Sequence, residues 1–136
     1  MTGDRSTTKD GVGPAAPPPT GLDVERLDML RELDPGDTSY LDRAIGNFQV
    51  NSDEAVTVIA AAVGAGDIAT VKARSHKIAG SALNLGATRA GEAARRVEVA
   101  ADSGSLAPVV PLLEELRESM AEGRELLLAY QATYAG

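Results

Sequence analysis

From Leu22 onward, apolar positions recur every three or four residues, and Gly, Pro, Asp or Ser interrupts them at intervals. Asp23 stands where an N-cap is wanted, opening a short predicted helix through Leu33. Leu22, Leu27, Leu30 and Leu33 are its apolar positions, and Asp34-Pro35-Gly36 closes it. Thr38 or Ser39 begins a long helix to about Val63, with the stripe Leu41, Ile45, Phe48, Ser52, Ala55, Ile59 and Ala62. Gly64-Ala65-Gly66 ends it, and Asp67 caps a third helix from about Ile68 to Leu85 that stops at Gly86. A fourth starts near Thr88 and carries Ala90, Ala94, Val97 and Ala101. After the turn Asp102-Ser103-Gly104-Ser105, a last long helix begins near Val109 or Val110, which leaves Pro111 in its first turn. Leu113, Leu116, Met120, Leu127, Tyr130 and Tyr134 fall on one side of it.

No alternating run of branched residues and no hairpin dipeptide signals a strand. The fold class is therefore all-α. Four long amphipathic helices joined by short turns, after one short leading helix, are expected to form an antiparallel up-down-up-down four-helix bundle over residues 21–136. Residues 1–20, MTGDRSTTKDGVGPAAPPPT, hold little to bury and are expected to be a disordered Pro/Gly/Ser/Thr-rich tail.

Composition narrows the chemistry. The 136 residues include no Cys and a single His, so there is no thiol nucleophile and no Cys-based zinc site. No metal site is expected. A net charge of −7, with three Tyr, one Phe and no Trp, argues against nucleic acid, which needs cations and stacking platforms. No run of about 18 apolar residues marks a membrane span, and the N-terminus lacks the apolar stretch of a secretory signal. A cytoplasmic monomer is expected. Acid–base chemistry near pH 7 falls to one imidazole, His76.

Helical geometry says where that imidazole points. At about 100° per residue, Ile68, Val71, Ser75, Ile78, Ala82 and Leu85 collapse onto one arc, the core stripe of the third helix. His76 falls roughly 130° from the centre of that arc and so faces outward, which disfavours a core histidine. Ala69, Lys72, Ala73, Ala79 and Gly80 are its neighbours one or two turns away. A glycine inside an exposed helix costs about 0.8–1.0 kcal/mol against alanine, so Gly80 needs a reason. Close packing is one, and clearance beside the ring for a large group is the other. Lys72 is placed to swing toward an anion on His76, while Lys77 points to a different face. Small residues, one cation and a free imidazole suit an exposed phosphate acceptor. No phosphate loop, oxyanion nest or carboxylate pair accompanies them, so no autonomous catalytic activity is expected. Leu83, with Ala69, Ala73 and Gly80, makes the apolar centre of a candidate docking patch. Arg95 and Arg96 are read first as surface charges that serve solubility, with contact to a protein partner as the second reading.

The stretch Ser75-His76-Lys77-Ile78-Ala79-Gly80-Ser81-Ala82-Leu83-Asn84-Leu85-Gly86-Ala87 resembles a histidine-containing phosphotransfer (HPt) domain. Ile78, Gly80, Ser81, Gly86 and Ala87 stand at the family's places after its His. The Ala65-Gly66-Asp67 turn, Val97-Glu98 and Phe48 are similar too, and the resemblance spans about residues 22–134. It implies a relay component with His76 as nucleophile through Nε2. A response regulator receiver domain would supply the aspartyl phosphate and the Mg²⁺, and a hybrid histidine kinase would stand upstream. The family commonly has Lys three residues after the His. Here that position is Ala79, and Lys72 or Lys77 is expected to substitute in part. A phosphorylation-silent helical adaptor, binding a receiver or kinase without accepting phosphate, is the alternative.

Overall fold

The computed structural model describes residues 21–33 and 36–135, so the expected tail and the Asp34-Pro35 turn lie outside the described residues. Five helices follow in order: α1 (Val24–Glu32), α2 (Ser39–Ala65), α3 (Ile68–Asn84), α4 (Thr88–Ala101) and α5 (Leu113–Ala135). There is no strand among the described residues. The long helices form a ring in which α2 packs on α3, α3 on α4, α4 on α5 and α5 back on α2. Paired contacts run in opposite senses along neighbouring helices: Lys72 with Asp102 and His76 with Glu98, Arg89 with Glu122 and Arg96 with Glu115, and Asp42 with Tyr134 and Ser52 with Arg124. With only Gly66 and Asp67 between α2 and α3, every neighbouring pair is antiparallel. This is the expected four-helix bundle. None of the described helices is long and apolar enough to cross a membrane.

Caps and stripes follow from the sequence. Asp23 and Asp67 accept the N–H of Arg26 and Thr70, each at 3.1 Å, and so start α1 and α3. The α2 stripe is buried from Leu41 to Ala62, and it includes Ser52. Phe48, at 2% exposure, lies against α5 where Gly123 has no side chain to obstruct it. Leu116, Met120, Leu127 and Tyr130 complete the core from α5.

One boundary needs correction. The last α-helix begins at Leu113 rather than near Val109 or Val110, because a 3₁₀ turn over Val110–Leu112 precedes it. Val109 is fully buried and pins the chain there, and Leu112 N–H bonds back to Val109 C=O at 2.8 Å. Pro111 has no N–H to offer an α-turn, so the tighter spacing costs the chain little at this point.

The α3–α4 turn fixes how those two helices face each other. Gly86 has φ +75°, and a Cβ there would meet Asp23 C=O at 2.8 Å. Only glycine fits both conditions. Around it Asp23 N–H bonds Gly86 C=O at 2.7 Å, Thr88 N–H bonds Gly21 C=O at 3.0 Å and Ala87 N–H bonds Ala82 C=O at 2.8 Å. The segment leading into α1 thereby staples the turn, and Arg26 adds bonds to the C=O and Oδ1 of Asn84, both at 2.9 Å.

Candidate functional site

His76 sits in the middle of α3 with its side chain 71% exposed. Its Nδ1 lies 2.8 Å from Oε2 of Glu98, which projects from the facing turn of α4. A carboxylate only accepts, so in the neutral ring the proton belongs on Nδ1 and the Nε2 lone pair is left free. The contact thus sets the tautomer and the tilt of the ring together. Glu98 is itself mostly covered, and its other oxygen, Oε1, is buried with no hydrogen-bond partner. The nearest cation to that oxygen is Arg95, whose Nε is 3.6 Å away, beyond hydrogen-bond distance.

The surroundings divide by direction around α3. Ala69, Ala73 and Gly80 are exposed on the same stripe as His76, and a Cβ at Gly80 would meet nothing within 4 Å. Gly80 is therefore not a packing glycine. Lys77 lies further round, in a shallow cleft of about 40 Å³ between α2 and α3 that Asn51, Glu54, Arg74 and Ser81 also line. It faces α2 rather than the ring, as its helical angle requires.

Three expectations need correction on the other side of His76, where α4 approaches. Ala79 is fully buried instead of standing beside the ring. Leu83 is half-buried and leans onto Gly91 of α4, so it belongs to the seam between helices and not to an open docking patch. Lys72 is not free to swing: its Nζ is 2.8 Å from Oδ1 of Asp102. The hydrogen bond to Asp102, then its charge, holds the Lys72 ammonium above the ordinary lysine pKa, and the same contact holds the Asp102 carboxyl below its own. All three corrections have one cause. The core stripe of a single helix shows one buried face, while α4 covers a second flank of α3.

Glu98 carries the site's electrostatics, and its contact was not read from the sequence, although the residue itself belongs to the resemblance. The signal lay in the turn. In an antiparallel pair, residues equally far from the turn face each other, and His76 and Glu98 are equidistant from Ala87. Among the described residues no group of three or more His, Cys, Asp or Glu side chains converges as metal ligands.

The chain is similar to known proteins in two respects. The family model described as the Hpt domain matches residues 43–125. The crystal structure of histidine-containing phosphotransfer protein B (HptB) from Pseudomonas aeruginosa PAO1 superposes with a TM-score of 0.75 at 24% identity, covering 84% of this chain and 96% of that one. No curated protein matches the sequence.

Proposed function

The chain belongs to the Hpt domain family, and from that premise we propose that His76 is a phosphoryl carrier in a His–Asp phosphorelay, exchanging its phosphoryl group with aspartates of receiver domains. The observation that carries this reading is the pairing of His76 Nδ1 with Glu98 at 2.8 Å while the rest of the ring stays open beside Gly80. A site with one held nitrogen and one free nitrogen is a positioned nucleophile.

In the proposed step the Nε2 lone pair attacks the phosphorus of a receiver's aspartyl phosphate. A P–N bond forms as the P–O bond to the aspartate breaks, and the aspartate leaves as a carboxylate. The ring keeps its Nδ1 proton throughout, so it becomes a cationic N-phosphorylated imidazole. Glu98 faces that new positive charge directly, as the buried carboxylate of a Ser-His-Asp triad faces its imidazolium. No proton has to be moved, and the reverse step retraces the same bonds. In this reading Mg²⁺ resides on the receiver, where it neutralises phosphoryl oxygens, and the present chain contributes the nucleophile, its orientation and clearance. A hybrid histidine kinase is the proposed upstream source of the phosphoryl group.

The test uses the whole chain and a phosphorylated receiver. Wild type takes up an acid-labile, base-stable label, and His76→Gln takes up none while keeping its helical content and Tm, because the replaced side chain is exposed. Labelling of His76→Gln at the wild-type level overturns the assignment. Absence of label on the wild type, with receiver binding retained, identifies a phosphorylation-silent adaptor instead.

A further inference from the structure

A phosphoryl group on Nε2 brings nearly two negative charges to an open helix face, and a cation is needed to meet them. The candidates differ in how they are held. Lys72 is engaged by Asp102 at 2.8 Å. Arg74 is paired with Glu54 at 3.5 Å on the α2 side, where Lys77 also lies. Arg96 is drawn to α5 by Glu115 at 2.7 Å. Among the described residues Arg95 pairs with Glu98 of its own helix: its side chain is 52% exposed and its Nε stands 3.6 Å from the same carboxylate that holds His76, so it is the cation whose partner is already part of the site.

The register of α3 against α4 places Arg95 more closely. Lys72 is opposite Asp102, His76 opposite Glu98 and Leu83 opposite Gly91. Each move along α3 is matched by an equal move back along α4. Arg95, three residues before Glu98, is therefore level with Ala79, three residues after His76. That offset is about 4.5 Å along the helix axis, less than the length of an arginine side chain. Ala79 is fully buried and Gly80 has no side chain, and a Cβ at Gly80 would meet nothing within 4 Å, so no long side chain of α3 stands at this level beside the ring.

We propose that Arg95 is the phosphate-binding cation of the site, reaching across from α4 to the phosphoryl group once it is on His76. This deepens the carrier reading of His76 and rests on it. The charges exchange partners without loss. In its nucleophilic form the ring is neutral, and Glu98 has Arg95 as its neighbouring cation. After transfer the ring is cationic, so Glu98 retains a positive partner and the guanidinium is released to the phosphoryl oxygens. Arginine's planar fork suits that role, since it meets two oxygens at once.

The experiment compares Arg95→Lys, Arg95→Ala and Arg95→Glu with wild type in the full chain. Label is introduced both by a phosphorylated receiver and by phosphoramidate, a small donor that phosphorylates imidazole without a receiver. The readouts are the hydrolysis half-life of the label and the rate of receiver transfer. Arg95→Ala is expected to shorten the half-life or slow transfer by about 1.4- to 5-fold, the range of an exposed ionic contact. Arg95→Lys is expected to fall between Ala and wild type, Arg95→Glu below Ala, and the differences to shrink with added salt. Arg95→Ala with wild-type half-life and transfer rate overturns the proposal and leaves the carrier reading intact. A wild type that accepts label from phosphoramidate but never from a receiver overturns the relay reading, and the half-life series still decides Arg95.

Discussion

Across the α3/α4 seam Leu83 packs onto the backbone of Gly91, with Ala79 fully buried a turn below. Across the α2/α5 seam the helices are joined by long polar side chains. Tyr134 O–H and Gln131 Nε2 donate to Asp42 Oδ1 at 2.6 and 3.0 Å, and Arg124 Nη1 donates to the buried Ser52 Oγ at 2.9 Å. The polar pairs of the α3/α4 seam, Lys72–Asp102 and His76–Glu98, stand at its rim instead. The proposed carrier role gives this contrast a reason. A side chain that must be presented to a partner needs its backbone held firmly by contacts that do not compete for its polar atoms. Small residues in close approach supply that. On the far side no reactive group has to stay free, and hydrogen bonds tie the helices.

The largest expected effect comes from obstructing the free face. Gly80→Glu puts bulk and a like charge one turn from Nε2. Receiver transfer should drop by about tenfold or more, which needs only ~1.4 kcal/mol on the barrier. Stability should rise by a few tenths of a kcal/mol, since glycine is a poor helix former and nothing lies within 4 Å. Rapid transfer by this variant would show that clearance is not the role of Gly80, and unfolding would show a packing role that the open space contradicts.

Next is the close approach. A Cβ at Gly91 would meet Leu83 Cγ and Cδ2 at 2.5 Å. Gly91→Ala should therefore lose about 1–3 kcal/mol to overpacking, against a gain of up to ~1 kcal/mol in propensity. Denaturant melts measure the net loss. Adding Leu83→Ala relieves the clash, so the double variant should be more stable than the sum of the single changes. A rise in Tm for Gly91→Ala alone would mean that Leu83 yields easily and the seam is looser than its geometry.

The smallest effect belongs to the α2/α5 ties. Tyr134→Phe removes one bond to Asp42 and leaves those from Gln131 and Thr38, so about 0.5–1.5 kcal/mol should be lost, with transfer from His76 unchanged. Changed transfer would show that the two halves are coupled. The same ties set a pH dependence. Burial, then the bond to Asp28, pushes the Tyr130 phenol up to about 12, and burial, then Asp42, raises Tyr134 as well. A raised phenol stabilises the fold fully below its ordinary pKa of ~10, and that contribution disappears as pH rises through the folded value. Asp42 is lowered by its bonds from Gln131, Tyr134 and Thr38, so its contribution is present above the ordinary carboxylate pKa and lost as pH falls through the lowered one. A plot of Tm against pH should be flat between these limits, and Tyr134→Phe should reduce the alkaline fall.

Apart from the start of α5, the sequence was sufficient for what depends on one helix at a time. The aspartate caps, the α2 stripe through Ser52 and the outward direction of His76 all follow from a 3.6-residue period and local chain chemistry. Tertiary structure decided whatever depends on two helices. The pairing of Glu98 with His76, the capture of Lys72 by Asp102, the burial of Ala79 and the seating of Leu83 on Gly91 require the register and separation of α3 and α4. The period of α3 contains neither quantity. They are fixed by the Gly86 turn, by the residues before α1 that staple it, and by the missing side chain of Gly91. A stripe tells which way a side chain points, and only the neighbouring helix determines what it meets there.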